Sequence, residues 1–151
     1  MTEDPRRVMT ERYVSMNLFS RLDPHTDKAL AGLRIVAGLM FLQHGTQKLF
    51  GFPAPAMGPF DLFSQIGIGG VLELVGGVLI VMGLFTRPVA FLMSGMMAVA
   101  YAQFHWQFGG ASFFPMVNQG ELAALYCWVF LYLAFAGPGS WAVDQVLKGK
   151  A

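Results

Sequence analysis

Residues 66–85 read IGIGGVLELVGGVLIVMGLF, an apolar run with a single ionisable side chain, Glu73, near its middle. A helix of roughly 20 apolar residues spans the hydrocarbon core of a bilayer. An ionised carboxylate facing lipid there costs at least about 2.5 kcal/mol. Glu73 is therefore predicted to face a protein partner or a cavity. Helical spacing puts Gly69, Gly70, Gly76 and Gly77 at i−4, i−3, i+3 and i+4 from it. Small residues on one face let a second helix approach closely. The run predicts a membrane helix that buries its acid against a neighbour.

Three further apolar segments, about 29–50, 88–104 and 121–136, complete a four-span pattern. Only Thr86-Arg87 separates the second span from the third, which predicts a tight hairpin with Thr86 as the cap and Pro88 in the first turn. Gly137-Pro138-Gly139 is a helix stop after the fourth span. The expected fold class is an all-α membrane protein, an antiparallel four-helix transmembrane bundle. Composition agrees: 55% of residues are hydrophobic and 13% charged, with a mean hydropathy of +0.52. A net charge of +1 and the lack of a basic, aromatic-interleaved patch exclude nucleic acid as an expected partner. One cysteine, Cys127, gives neither an internal disulfide nor a C-x-x-C pair. Its expected role is that of a small buried apolar residue. The methionines, Met93, Met96 and Met97 among them, read as gap-fillers rather than soft-metal ligands, so no metal is expected.

The basic residues predict orientation. With both termini in the cytoplasm, the inside holds Arg6, Arg7, Arg12, Arg21, Lys28, Arg87, Lys148 and Lys150, and the outside only Lys48. The expected organisation is a polar, basic cytoplasmic tail over 1–28, a membrane domain over 29–144 and a short cytoplasmic tail over 145–151. Apolar residues among the arginines of 8–22 raise the alternative that this stretch lies along the inner surface. Phe104, Trp106, Phe108, Phe113 and Phe114 read as an interfacial aromatic belt at the outer face.

Helical rise turns position into depth. From the inner edge, Arg34 comes out at roughly 8 Å, Glu73 near 20 Å, His44 near 23 Å, His105 near 26 Å and Lys48 near 29 Å. Glu121 marks the outer end of the fourth helix. Faces follow from the same spacing: Arg34, Gly38, Phe41, Gly45 and Lys48 on the first helix, and Ser94, Ala98, Tyr101 and His105 on the third. On the fourth, Glu121, Leu125, Trp128, Tyr132 and Phe135 form the corresponding stripe. Turning each stripe to the bundle axis gathers His44, Lys48, Glu73, Tyr101, His105 and Glu121 around one outward-opening polar pocket. Each has a plainer reading too. Lys48 can snorkel to the headgroups, and Glu121 can be a first-turn acid favoured by the helix dipole. Glu73 can serve as one half of a closed ion pair. Arg34 is expected to reach the inner surface or to pair with Asp144 in a structural ion pair.

Several motifs recur together. Leu33-Arg34 precedes His44-Gly45-Thr46-Gln47-Lys48-Leu49-Phe50-Gly51. Gly70-Val71-Leu72-Glu73-Leu74-Val75-Gly76-Gly77 and Gly83-Leu84-Phe85-Thr86-Arg87-Pro88 follow. The last block runs from Asn118-Gln119-Gly120-Glu121-Leu122 through Tyr126 to Gly137-Pro138-Gly139 and Asp144. In this order and spacing, over roughly 29–144, the chain resembles the DoxX family of small four-span bacterial membrane proteins. That resemblance implies the cytoplasmic (inner) membrane as location. It also implies a redox setting, since related proteins include the membrane subunit of an archaeal thiosulfate:quinone oxidoreductase. There, catalysis also involves a second type of subunit.

Two functions remain open at this point. The first is a subunit of a quinone-linked oxidoreductase. Glu73 would exchange protons, His44, Lys48, His105 and Glu121 would hold the polar head, and Tyr101 and Trp106 would contact the ring. The second is a non-catalytic membrane anchor or assembly factor for a partner protein. A haem held by His44 and His105 ranks below both. So does a transporter, because four short spans contain no inverted repeat of broken helices. The expected partners are the lipid bilayer and, as alternatives, a redox protein or a second copy of the chain.

Overall fold

A computed structural model describes Ser20 and residues 22–55 and 61–149, and the regular structure among these is entirely helical. The long helices are α1 (Thr26–Phe50), α2 (Gln65–Met82), α3 (Thr86–Ala100) and α4 (Glu121–Ala136), followed by the short α5 (Val143–Lys148). After Ala100, α3 continues as a π-helical stretch, Tyr101–His105. A 3-10 turn, Gln107–Gly109, and one helical turn, Pro115–Asn118, lead to α4. Most of the 1–28 tail lies outside the described residues, as do Arg6, Arg7, Arg12, Arg21 and Lys150. The segment read as a C-terminal tail begins inside α5.

α2 is the one helix among the described residues long and apolar enough to cross a membrane, with a mean hydropathy of 1.9. Only 33% of it is buried, whereas the core helix of a soluble protein would be mostly buried. Ile66, Ile68, Val75, Val78 and Met82 lie exposed along its outer face. Ser64 caps its start, accepting the Gly67 N–H at 3.0 Å. Its end comes at Met82 rather than Phe85. Gly83 turns left-handed (φ 65°), and the Gly83 and Leu84 N–H groups bond back to the Ile80 and Leu79 carbonyls.

The cap expected of Thr86 is supplied from elsewhere. Phe85 takes φ 50°, and the Asp144 carboxylate accepts the N–H groups of Phe85 and Thr86 at 2.8 Å each. Thr86 itself is buried in the first turn of α3. Burial works against ionisation of Asp144, but the hydrogen bonds from Thr86 and Phe85 and the charge of Lys148 outweigh it. Its carboxyl is held below the usual range. A lowered folded pKa gives stability that is complete above the unfolded value of about 3.9 and is lost as pH falls through the folded value. Asp144→Asn is expected to cost about 1 kcal/mol at neutral pH and to remove this part of the acid dependence. Thermal unfolding of both proteins from pH 7 to 3 checks it; parallel curves would refute the cap.

The helices pack mainly as two pairs, α1 along α2 and α3 along α4, with thinner contact between the pairs. One core still joins all four: Ala37 and Phe41, Ile80, Ala90, Met93 and Met97, and Tyr126, Phe130 and Leu133. Glycines set the approach of α1 and α2. A Cβ on Gly45 would lie 2.5 Å from the Leu74 nitrogen, and one on Gly77 2.9 Å from the Leu42 backbone. On Gly76 it would meet the Met93 sulfur at 2.5 Å, and on Gly69 nothing within 4 Å. Gly45→Ala should therefore cost about 2 kcal/mol or more, since backbone cannot yield, and Gly76→Ala less, since a thioether can move. Equal losses in a thermal-unfolding comparison would contradict this packing.

On α4 the expected stripe points the other way. Leu125, Trp128, Tyr132 and Phe135 are exposed, and the buried face is Ala123, Tyr126, Phe130 and Leu133. Polar tips gave the wrong sign because Trp and Tyr are largely apolar bodies suited to an outward face. The α3 stripe holds only in part: Ser94 is buried and Ala98 exposed.

Candidate functional site

Gly45 and Gly70 place the central pair. Gly70 leaves room for the Lys48 stem, whose Cβ would stand 3.0 Å from a Cβ there. The lysine lies across α2 and reaches Glu73, one helical turn on from Gly70. Lys48 Nζ donates to Glu73 Oε1 at 2.5 Å. Glu73 is 3% exposed, while the Lys48 side chain keeps 23%. This is the one ion pair within 4 Å among the described residues. The second carboxylate oxygen, Oε2, is buried without a hydrogen-bond partner.

His44, one turn before Lys48, meets the Tyr126 ring edge-on at 6.2 Å. Tyr126 is 5% exposed, stacks on Phe130 at 5.6 Å and packs against Phe41 at 5.4 Å. Its hydroxyl is also buried without a partner, and the Glu73 charge acts on it through space. Tyr126 was absent from the expected site. The signal that could have found it is the spacing of Ala123, Tyr126, Phe130 and Leu133, which makes a helical stripe with one polar atom in it.

Tyr101 and His105 belong to a separate cluster. The π-helical turn carries both toward the 106–120 loop, and their rings stack at 6.2 Å. The Tyr101 hydroxyl donates to the Phe113 carbonyl and accepts from Asn118 Nδ2. His105 Nδ1 lies 3.2 Å from the Asn118 carbonyl, which only accepts, so Nδ1 carries the proton. Asn118 also donates to the Ser112 carbonyl and accepts the Gly120 N–H, both at 2.8 Å. These bonds organise the loop. Among the described residues, no hydrogen bond or ion pair joins this cluster to Lys48 and Glu73. Glu121 stands exposed at the first turn of α4 and has no hydrogen bond or ion pair there. The six expected residues thus divide into Lys48 and Glu73 with His44 nearby, Tyr101 with His105, and Glu121 alone.

At the opposite end, the expected ion pair between Arg34 and Asp144 gives way to something else. Arg34 is fully buried and spends its guanidinium on backbone carbonyls. Nε donates to Pro138 at 2.8 Å, Nη1 to Ile80 at 2.7 Å and Val81 at 2.5 Å, and Nη2 to Ser140 at 3.2 Å and Trp141 at 3.0 Å. The carbonyls at the end of α2 carry the negative pole of the helix dipole, so they hold a cation as an acid would. Asp144 is engaged by α3 and acts on Arg34 only at longer range. Arg87 does for α4 what Arg34 does for α2, donating to the Ala134 and Phe135 carbonyls at 3.0 and 2.6 Å.

The fold and the site describe a small helical protein with a bilayer-length apolar helix and a charge pair inside its helix packing. The DoxX family model matches residues 29–106. A Haemophilus influenzae protein, named only as uncharacterized, is 42% identical over 128 residues, covering 83% of this chain and 96% of its own. The Escherichia coli "Inner membrane protein YphA" is 30% identical, covering 74% and 85%. The Bacillus subtilis "Putative oxidoreductase CatD" is 29% identical, covering 78% and 87%. The chain belongs to the DoxX family. No solved structure gives a significant match.

Proposed function

We propose that the chain is the membrane subunit of a redox system in the bacterial inner membrane, and that it holds a quinone or a similar small ring ligand beside Lys48 and Glu73. In this reading, residues 29–144 form an antiparallel four-helix transmembrane bundle, and 1–28 and 145–151 lie in the cytoplasm. Its main support is the buried Glu73, with one oxygen held by Lys48 and the other without a partner. A bound quinone would supply two-electron, two-proton chemistry. Lys48 would donate a hydrogen bond to a ring oxygen, Glu73 would hold a proton, and His44 would stand at the ring edge. Tyr101, His105 and Glu121 would form the mouth rather than the floor of the site. The printed names of the Escherichia coli and Bacillus subtilis relatives are consistent with the location and the redox setting.

Binding of a short-chain ubiquinone to the protein in nanodiscs tests the function. Wild type should bind, and Glu73→Gln should weaken binding about ten-fold. No binding to wild type would overturn it. Topology has its own test in a Cys127→Ser background: single cysteines at Pro55 and Gly110 should react with an impermeant reagent from outside, and one at Arg87 should not.

A specific observation favours the second reading, a non-catalytic anchor. Lys48 already pairs Glu73, and Phe113, Phe114, Met116 and Val117 present an exposed apolar surface beside α4. A stoichiometric partner from native membranes that stays bound to Glu73→Gln, without quinone binding, would favour it.

A further inference from the structure

Among the described residues, three buried side-chain polar atoms lack hydrogen-bond partners, Thr86 Oγ1, Glu73 Oε2 and Tyr126 Oη, and α1 links the last two: His44 meets the Tyr126 ring, and Lys48, one turn on, holds Glu73. Glu73 Oε2 projects from α2 and Tyr126 Oη from α4, and both residues are more than nine-tenths buried. Leaving such groups unsatisfied costs free energy that a packed apolar pair would not. The two are complementary. The carboxylate oxygen can only accept, while the phenol can donate as well as accept. They are not bonded to each other. Lys48 neutralises Glu73, so the place offers little attraction to a free ion, and no group of three acid, histidine or cysteine side chains converges there among the described residues.

We propose that Glu73 and Tyr126 are the two halves of one hydrogen-bonding subsite, specific for a neutral hydroxyl group carried on an aromatic ring. The hydroxyl hydrogen goes to Glu73 Oε2, and its oxygen accepts from Tyr126 Oη. Phe41, Phe130 and His44 supply the ring contacts, since they already surround the Tyr126 ring. Entry is between the helix pairs, because α1 and α4 touch only thinly along the seam that His44 and Tyr126 face. Tyr126 becomes a specificity-determining residue. This inference rests on the reading of the core as a ligand site, but not on that ligand being a quinone.

The probes are 4-propylphenol and 4-propylanisole, which share a ring and a chain but differ in the O–H donor. Thermal unfolding in nanodiscs is followed across a titration of each, against wild type, Tyr126→Phe and Glu73→Gln. The phenol should stabilise wild type at concentrations roughly ten-fold below the anisole, and Tyr126→Phe should lose roughly ten-fold of the phenol's apparent affinity. Tyr126→Phe keeps the packed ring, so it remains a folded control even where Glu73→Gln does not. Equal effects of phenol and anisole, or equal effects on wild type and Tyr126→Phe, would mean partition into lipid only and overturn the subsite. A protein that binds ubiquinone but does not distinguish the probes would lose this inference and keep the quinone reading. One that binds the phenol through Tyr126 and no ubiquinone would do the reverse. No response of wild type to either probe leaves the two atoms to water and overturns the proposal.

Discussion

Arg34→Met is expected to destabilise the protein by at least about 3 kcal/mol, the largest loss at any polar position. The guanidinium has five N–H donors, and each finds a backbone carbonyl. Removing it strands those five acceptors, at the end of α2 and in the 138–141 turn, where the side chain is fully buried. It also unties α2 from that turn, which delivers Asp144 to the start of α3. Arg34→Lys should recover little, because an ammonium has three donors and no planar fork. The measurement is unfolding in detergent or nanodiscs by heat or by SDS titration. A Lys variant as stable as wild type would show that charge, rather than donor geometry, is what this site requires.

The second large effect is expected at the ion pair. Lys48→Met should cost about 3 kcal/mol, because it leaves the Glu73 carboxylate buried with neither oxygen paired. The double variant Lys48→Met/Glu73→Leu should regain most of that loss, since replacing both members of a buried pair by apolar residues of similar volume is close to neutral. A double variant as unstable as the single one would show that the pair itself locks α1 to α2. Recovery of stability with loss of ubiquinone binding would instead separate the ligand role of these residues from their role in the fold.

Much of the architecture was legible in the residues because it follows from local rules. Helix α4 ends where Gly137-Pro138-Gly139 forbids continuation, and it starts at Glu121 as expected. The α1 stripe of Arg34, Gly38, Phe41 and Gly45 is buried as its spacing implied. An acid placed among glycines in an apolar run has few tolerable surroundings, so the burial of Glu73 could be read from position alone. The reading failed where a side chain is apolar along its body and polar at its tip. Trp128 and Tyr132 were given an inward face and lie outward. Tyr126, two turns of helix before Leu133, lies off that stripe and on the buried face.

What the sequence alone determined is the four long helices, the stop that ends α4, the apolar character of α2 and the need to shield Glu73, all consequences of composition and spacing within one segment. Which partners these groups met was decided only by the tertiary structure. Arg34 chose carbonyls over Asp144, Asp144 chose the N–H groups of α3, and Tyr126 came to pack against Phe41 and His44 of α1. The physical reason is that a charge is satisfied equally well by an opposite charge or by the exposed pole of a helix. Spacing along one chain segment does not say which helix ends the fold will bring beside it.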